Sequence, residues 1–396
     1  MTRLTRGGAG RPVLLTTSAI HVANDACFAL LYPLLPFIAA DLNLSYTEVG
    51  LLKATFSGAA SAFQIPAGIV GARYGEMLVL LLGNAWVGLG LLAMAATGTF
   101  ALLLAAAILA GIGGNAQHPL AASIVSKSVP RSQMAMALGT LNFAGDLGKL
   151  IGPFIAGLIA VQFGWRYALG VVGLFTAIFS ISLLLRRRTP RVAQEAAATP
   201  VPPAAELPGA ERIERGFRNV MLAGGLDSAT RGAALTFLPF ILAEHGFNAA
   251  AISALFGVIF AAGAAGKFVC GWLTGRWGIL AVIVATEMVT AGSLLAIIVV
   301  PGWATVPLVI VFGFALNGTS SALSAGVSHF VPASLRARGY GTYFTAALVS
   351  SAIAPLAYGA LGDAAGLAVV FVTMAAMTVA VIPAVLPARA RLAESG

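Results

Sequence analysis

Two stretches decide the fold: SKSVPRSQMAMALGT at residues 126–140 and SHFVPASLRARGYGT at 328–342. At an offset of 202 they share Ser126/Ser328, Val129/Val331, Pro130/Pro332, Ser132/Ser334, Ala135/Ala337, Gly139/Gly341 and Thr140/Thr342. Working outward, Pro153 meets Pro355 and Gly157 meets Gly359 at the same offset. In the other direction the offset is 203: LPFI at 35–38 recurs at 238–241, GIVGARYG at 68–75 recurs as GWLTGRWG at 271–278, and Asn24 falls on Asp227. Apolar segments resemble one another by chance, but these matches lie in Pro, Gly, Ser and Arg. The chain is an internal duplication.

What is duplicated follows from composition. Of the 396 residues, 59% are hydrophobic and 9% charged. Soluble domains carry about 25% charged residues, so lipid rather than water is the expected solvent. About 20 apolar residues cross a bilayer as a helix. Twelve such stretches are predicted, at 13–40, 47–72, 77–97, 100–126, 133–161, 166–186, 217–243, 249–274, 279–300, 304–329, 336–362 and 365–387. No alternation of barrel type is present, and helices satisfy their own backbone groups. The basic start MTRLTRGGAGRP precedes an apolar run without a small-residue cleavage site, so it reads as an uncleaved first helix. Residues 187–216 carry five prolines and no sustained apolar period. They read as a flexible cytoplasmic linker between residues 1–186 and 217–396, two bundles of six helices.

The net charge of +9 is an orientation signal. With the N-terminus in the cytoplasm, 18 Lys and Arg fall on the cytoplasmic side and one, Arg166, on the other. That is the positive-inside bias of a multi-pass protein with both termini cytoplasmic. The bases are spread over short loops without a groove, which excludes nucleic-acid binding. GIGGNA at 111–116 lacks the strand that a nucleotide loop requires. Neither a metal-ligand spacing nor a cofactor motif is present, and Cys27 and Cys270 sit apart inside apolar stretches.

Two parallel six-helix halves are the architecture of major facilitator transporters, and the sequence resembles that superfamily over nearly its whole length. Its cytoplasmic signature, G-x-x-x-D-[RK]-x-G-[RK]-[RK], is matched by Gly68, Arg73 and Gly75, and again by Gly271, Arg276 and Gly278. Ala72 and Gly275 stand where the acid belongs, and Glu76 where a base belongs. The fifth helix carries Gly139, Gly148, Gly152, Pro153, Ala156 and Gly157, which resembles the antiporter signature of drug-efflux members. His21, Asn24 and Asp25 in the first helix, with His118 and Pro119 in the fourth, resemble the fosmidomycin-resistance group. The resemblance implies a monomer in a bacterial-type inner membrane, driven by protons and carrying a small molecule. It implies export of a small, often anionic compound. Uptake of an organic anion by symport or facilitation stays open, as does a non-transporting sensor or scaffold.

Charged groups inside a bilayer cost a few kcal/mol each and require a reason. Eight remain: Asp25, Lys53, Asp146, Lys149, Asp227, Arg231, Lys267 and Glu287. His21 and Asp25, four apart, share a helix face and are expected to exchange the coupling proton, with Asp146 and Asp227 as further carriers. A hydrogen-bonded structural pair is the alternative for His21 and Asp25. Asp146 with Lys149 and Asp227 with Arg231 are spaced for ion pairs on single helices. Either these pairs neutralise themselves, or a base is released to substrate when its acid is protonated. Lys53 and Lys267 have no acid one turn away and are candidate anion ligands. Asn24, Tyr32, Asn115, Gln117, His118 and Asn317 complete the candidate polar lining. Glu287, on the ninth helix, stands outside this pattern.

Overall fold

The computed structural model describes residues 10–114, 117–186, 216–332 and 335–393. Its described residues are helical, without a strand. The first half runs α1 (Gly10–Ala29), α2 (Leu31–Leu42), α3 (Tyr46–Ala62), α4 (Gln64–Tyr74), α5 (Glu76–Ala95), α6 (Phe100–Gly114), α7 (Gln117–Ser128), α8 (Met134–Phe163) and α9 (Trp165–Leu185). The second half runs α10 (Gly216–Glu244), α11 (Ala249–Trp277), α12 (Ile279–Val299), α13 (Thr305–Val327), α14 (Arg336–Ala365), α15 (Leu367–Val385) and the short α16 (Arg389–Ala393). Ten segments among the described residues are long and apolar enough to cross a membrane. The other two expected crossings are the pair α3–α4 and the more polar α10. The linker assigned to 187–216 lies, except for Gly216, outside the described residues.

Two spans expected as single helices are each in two pieces. Proline has no N–H and its ring clashes with the carbonyl four residues back. For Pro33 that residue is Ala29, where α1 ends; for Pro66 it is Ala62, where α3 ends. Pro153 and Pro355, by contrast, sit inside the continuous helices α8 and α14.

The duplication extends to backbone conformation. Gly75, Gly164, Gly278 and Gly366 have φ of 104°, 86°, 80° and 84°. Each is the single residue joining α4 to α5, α8 to α9, α11 to α12 and α14 to α15. Each also donates its N–H to the carbonyl four residues back, closing the preceding helix. Side chains rarely adopt that backbone region, so glycine is required there. Gly75 and Gly278 are 203 apart, and Gly164 and Gly366 are 202 apart, the offsets of the sequence repeat. Helix starts repeat as well: Ser45 and Glu48 cap α3 reciprocally at 2.9 and 3.2 Å. Asn248, 203 residues on, accepts the Ala251 N–H at 2.9 Å to cap α11.

Contacts divide the chain into two compact units, residues 1–34 with 55–206 and residues 35–54 with 207–396. The first unit packs Leu14, Ile20, Leu80, Leu81, Val125 and Leu141 into its core. The second packs Val220, Val282, Ile283, Leu323, Tyr343 and Val385. Within the second unit, Asp363 accepts hydrogen bonds from the N–H groups of Tyr46 at 2.7 Å and Thr47 at 2.9 Å. Large apolar side chains stay outside: Phe268 is 80% and Ile65 75% exposed. In water such surface would be a liability, and against lipid it is the expected solvent face.

Candidate functional site: a polar cluster in each unit

In the first unit α1 and α8 pack at backbone distance because α8 presents glycine. A Cβ on Gly152 would lie 2.5 Å from the Ala26 carbonyl oxygen, and one on Gly148 would strike that of Val22. A Cβ on Gly145 would lie 2.7 Å from His21 Nε2. This packing brings the charges of two helices together. His21 Nε2 is 3.5 Å from Asp25 Oδ1, and Lys149 Nζ is 3.2 Å from Asp25 Oδ2. The same ammonium is 3.2 Å from Asp146 Oδ1. The expected Asp146–Lys149 pair is present, and Lys149 also reaches across to Asp25, which spacing within one helix does not reveal. Exposure is graded: the side chains of His21 and Asp25 are 3% and 5% exposed and that of Lys149 is 33%. Lys149 is the accessible member of a buried network.

His118 lies exposed on α7, its ring centroid 5.1 Å from that of His21 in an edge-on arrangement. His21, Asp25 and His118 place one ligand atom each within 4.8 Å of the others, a donor set that suits a divalent metal ion. The Lys149 ammonium already neutralises the carboxylate of that set and would repel the ion. The geometry favours an electrostatic His–Asp–Lys cluster over a metal site. Gln117 is buried with neither side-chain polar atom hydrogen-bonded, and the same holds for both ring nitrogens of His21. Buried polar groups are normally satisfied, so these are the atoms an incoming group would engage.

Asn24 is held by protein partners. Its Nδ2 donates to the Gly114 carbonyl at 3.1 Å and to Asn84 Oδ1 at 3.4 Å. Asn84 Nδ2 donates in turn to Ser180 Oγ at 2.9 Å. Asn84, 1% exposed on α5, was missed because the search of the sequence followed charges. The repeat offset would have found it: 84 and 287 are 203 apart, so Asn84 occupies the place of Glu287.

In the second unit Asp227 pairs with Arg231 as expected. Arg231 also donates to Ser320 Oγ at 3.1 Å on α13. Asp227 is 3% exposed and Glu287 2%. Glu287, on α12, lies in the electrostatic field of both Asp227 and Arg231. Its Oε1 has no hydrogen-bond partner. Tyr343, on α14, lies in the field of the same pair. By the repeat offset, Asp227 and Glu287 occupy the places that Asn24 and Asn84 hold in the first unit.

The remaining candidates scatter. Lys53 is buried in α3 at 4% exposure, in the stretch that groups with the second unit, rather than reaching out to an aqueous face. Tyr32 and Lys267 are half-buried on α2 and α11. Asn317 on α13 donates to the Gly313 carbonyl at 3.2 Å and packs on Gly263. Asn115 lies outside the described residues. Arg73 and Arg276 are exposed, each over an aromatic ring, Tyr74 at 5.4 Å and Trp272 at 4.8 Å. A Cβ on Gly68 or Gly271 would meet nothing within 4 Å among the described residues. An acid, Glu76, lies four residues beyond the place of the missing one. Glu76 accepts from Ser123 Oγ at 2.6 Å and pairs with Lys127 at 2.8 Å, tying α5 to α7.

Helices too apolar for water, buried charge clusters and a half-exposed cation define a multi-pass membrane transporter. The chain belongs to the Major Facilitator Superfamily, whose sequence profile matches residues 17–219 and 220–395. It is 27% identical over 152 residues to the fosmidomycin resistance protein of Escherichia coli, covering 38% of this chain and 37% of that protein. It is 32% identical over 173 residues to the hexuronate transporter of Bacillus subtilis, covering 43% and 40%. Against the multidrug resistance protein MdtG of Serratia proteamaculans it is 32% identical over 171 residues, covering 41% and 40%. Each match therefore spans about two fifths of the relative's length. The fold matches a bacterial homologue of the human lysosomal transporter Spinster in an inward-facing, occupied conformation, with TM-score 0.77 and 17% identity over 97% of this chain and 96% of that one. It also matches the nucleoside transporter NupG, with TM-score 0.76 and 13% identity over 95% and 98%.

Proposed function

We propose that this transporter exports a small amphipathic or anionic compound in exchange for protons. The observation that carries the direction is the glycine seam of α8, which resembles the antiporter signature, together with the similarity to the fosmidomycin resistance protein. The accessible cation is Lys149, one-third exposed and shared between Asp25 and Asp146. An anion that engages the ammonium competes with both carboxylates. Asp25, left in a buried site beside His21, then binds a proton in place of the cation. An anion and the Asp25 proton are thereby loaded together at Lys149, which favours symport for a purely anionic substrate. Exchange requires a substrate that competes with the proton, such as an amphipathic compound whose cationic group takes the place of Lys149 against Asp25 and Asp146. His118 and Gln117 on α7 supply further polar contacts to the substrate. Arg231 is the corresponding cation of the second unit. Alternating access moves residues 1–186 against 217–396, joined by the linker at 187–216. The setting in this reading is a bacterial-type inner membrane, with the distribution of Lys and Arg supporting cytoplasmic termini, and the working unit is a monomer.

Uptake of an organic anion is the second reading, supported by the similarity to a hexuronate transporter. Reconstituted vesicles with an imposed pH gradient separate the two, with a hexuronate and a phosphonate of the fosmidomycin type as probes. Exchange predicts accumulation in vesicles that are acidic inside. Symport predicts accumulation in vesicles that are acidic outside. A passive sensor or scaffold predicts no movement in either.

A further inference from the structure

We propose that Asp227 and Glu287 form a second proton-carrying site, holding one proton between two carboxyl groups over the guanidinium of Arg231. The first support is the internal symmetry. In the first unit the equivalent positions are Asn24 and Asn84, whose side chains lie at hydrogen-bonding distance, 3.4 Å. The helices that carry Asn84 and Glu287 start from the equivalent glycines Gly75 and Gly278. The second unit thus sets two acids where the first sets two amides. A pair of amides joins as donor and acceptor; a pair of carboxylates has no donor until one is protonated.

The second support is the charge count. Glu287 is met from α10 by Asp227 and Arg231. The helices packed against α12 are α11, α13, α15 and α16. Of these, α11 brings Lys267, Cys270 and Arg276, and α16 brings Arg389 and Arg391; α13 and α15 carry no ionisable residue. The charges that act on Glu287 are those of Asp227 and Arg231. Two carboxylates and one guanidinium in a buried site leave one negative charge, which a single proton cancels. The third support is Glu287 Oε1, buried with no hydrogen-bond partner. A carboxyl proton shared with Asp227 supplies the missing donor.

The site rests on the proton-coupled reading for its use but not for its existence, so its test needs no substrate. The full-length protein in lipid vesicles is followed by infrared difference spectroscopy of the protonated-carboxyl stretch across neutral pH. With one acid neutralised, the remaining carboxylate and Arg231 balance, and no proton is needed. Glu287→Gln and Asp227→Asn are therefore each expected to abolish the same band, and Asp25→Asn to leave it in place. Persistence of the band in either of the first two variants, or its absence from the unmodified protein, overturns the proposal. If Glu287→Gln loses its fold, Glu287→Asp carries the test: the band must remain at a shifted frequency, and an unshifted band overturns the assignment. Failure of the export reading would show separately, as transport unaltered by Asp25→Asn.

Discussion

The two units share a backbone and differ in where they keep their charge. In the first, the ionisable groups lie between α1 and α8, where Asp25, Lys149 and Asp146 form a chain, while α1 and α5 meet through the neutral amides Asn24 and Asn84. In the second, the α10–α12 positions of those amides hold Asp227 and Glu287, and Arg231 joins Asp227 from the same helix. The counterparts of Asp146 and Lys149 are Leu348 and Ser351 on α14. The polar cluster of each unit therefore holds two acids and one strong base, at different places on the same frame. Turn glycines and helix caps fix the frame, and side chains that point inward are free to change the chemistry as long as charge still balances.

Glycine placement differs in the same manner. In the first unit α8 presents glycine to α1; in the second, Gly224 and Gly232 on α10 receive Tyr343 and Ser351 of α14. The sharpest way to break the comparison is to fill one of these seams. Gly152→Leu forces a side chain against the Ala26 carbonyl and is expected to cost about 3 kcal/mol, read as loss of folded protein on heating in detergent. Gly139→Ala, where a Cβ meets nothing within 4 Å, is the control and should leave stability unchanged.

A smaller effect sharpens the contrast between amides and acids. Asn84→Leu leaves Asn24 with one partner and Ser180 without a donor, and is expected to lower stability by about 1 kcal/mol. That loss, measured against the unmodified protein, should be the same at every pH, because no proton is held there. The smallest effect concerns the cytoplasmic face. Glu76→Gln removes an ion pair whose lysine side chain is 45% exposed. A loss below about 1 kcal/mol is expected, since solvent and salt screen such pairs. A much larger loss would mean that Glu76 holds more than the α5–α7 contact.

The helices, the duplication and the turn glycines were legible because apolar length, Pro and Gly act locally. The breaks at Ala29 and Ala62 follow from prolines four residues later and were equally available, but the spans were read for apolar length alone. Asp227 with Arg231 was legible because the helix period brings them together. The reach of Lys149 to Asp25 was not, since it depends on how closely α8 approaches α1. Asn84 and Glu287 needed the offset applied to uncharged residues as well as charged ones. Asn24 was read as a substrate ligand because its polarity was visible and its partners, Asn84 and the Gly114 carbonyl, were distant in sequence.

The central claim is that Asp25, whose protonation decides its hold on Lys149, couples substrate movement to protons. Transport of one probe by vesicles with and without an imposed pH gradient, acidic inside or acidic outside, in the unmodified protein and in Asp25→Asn, tests it most directly. The predicted result is gradient-driven accumulation in the unmodified protein and only passive exchange in the variant. Gradient-driven accumulation by Asp25→Asn equal to that of the unmodified protein would contradict it.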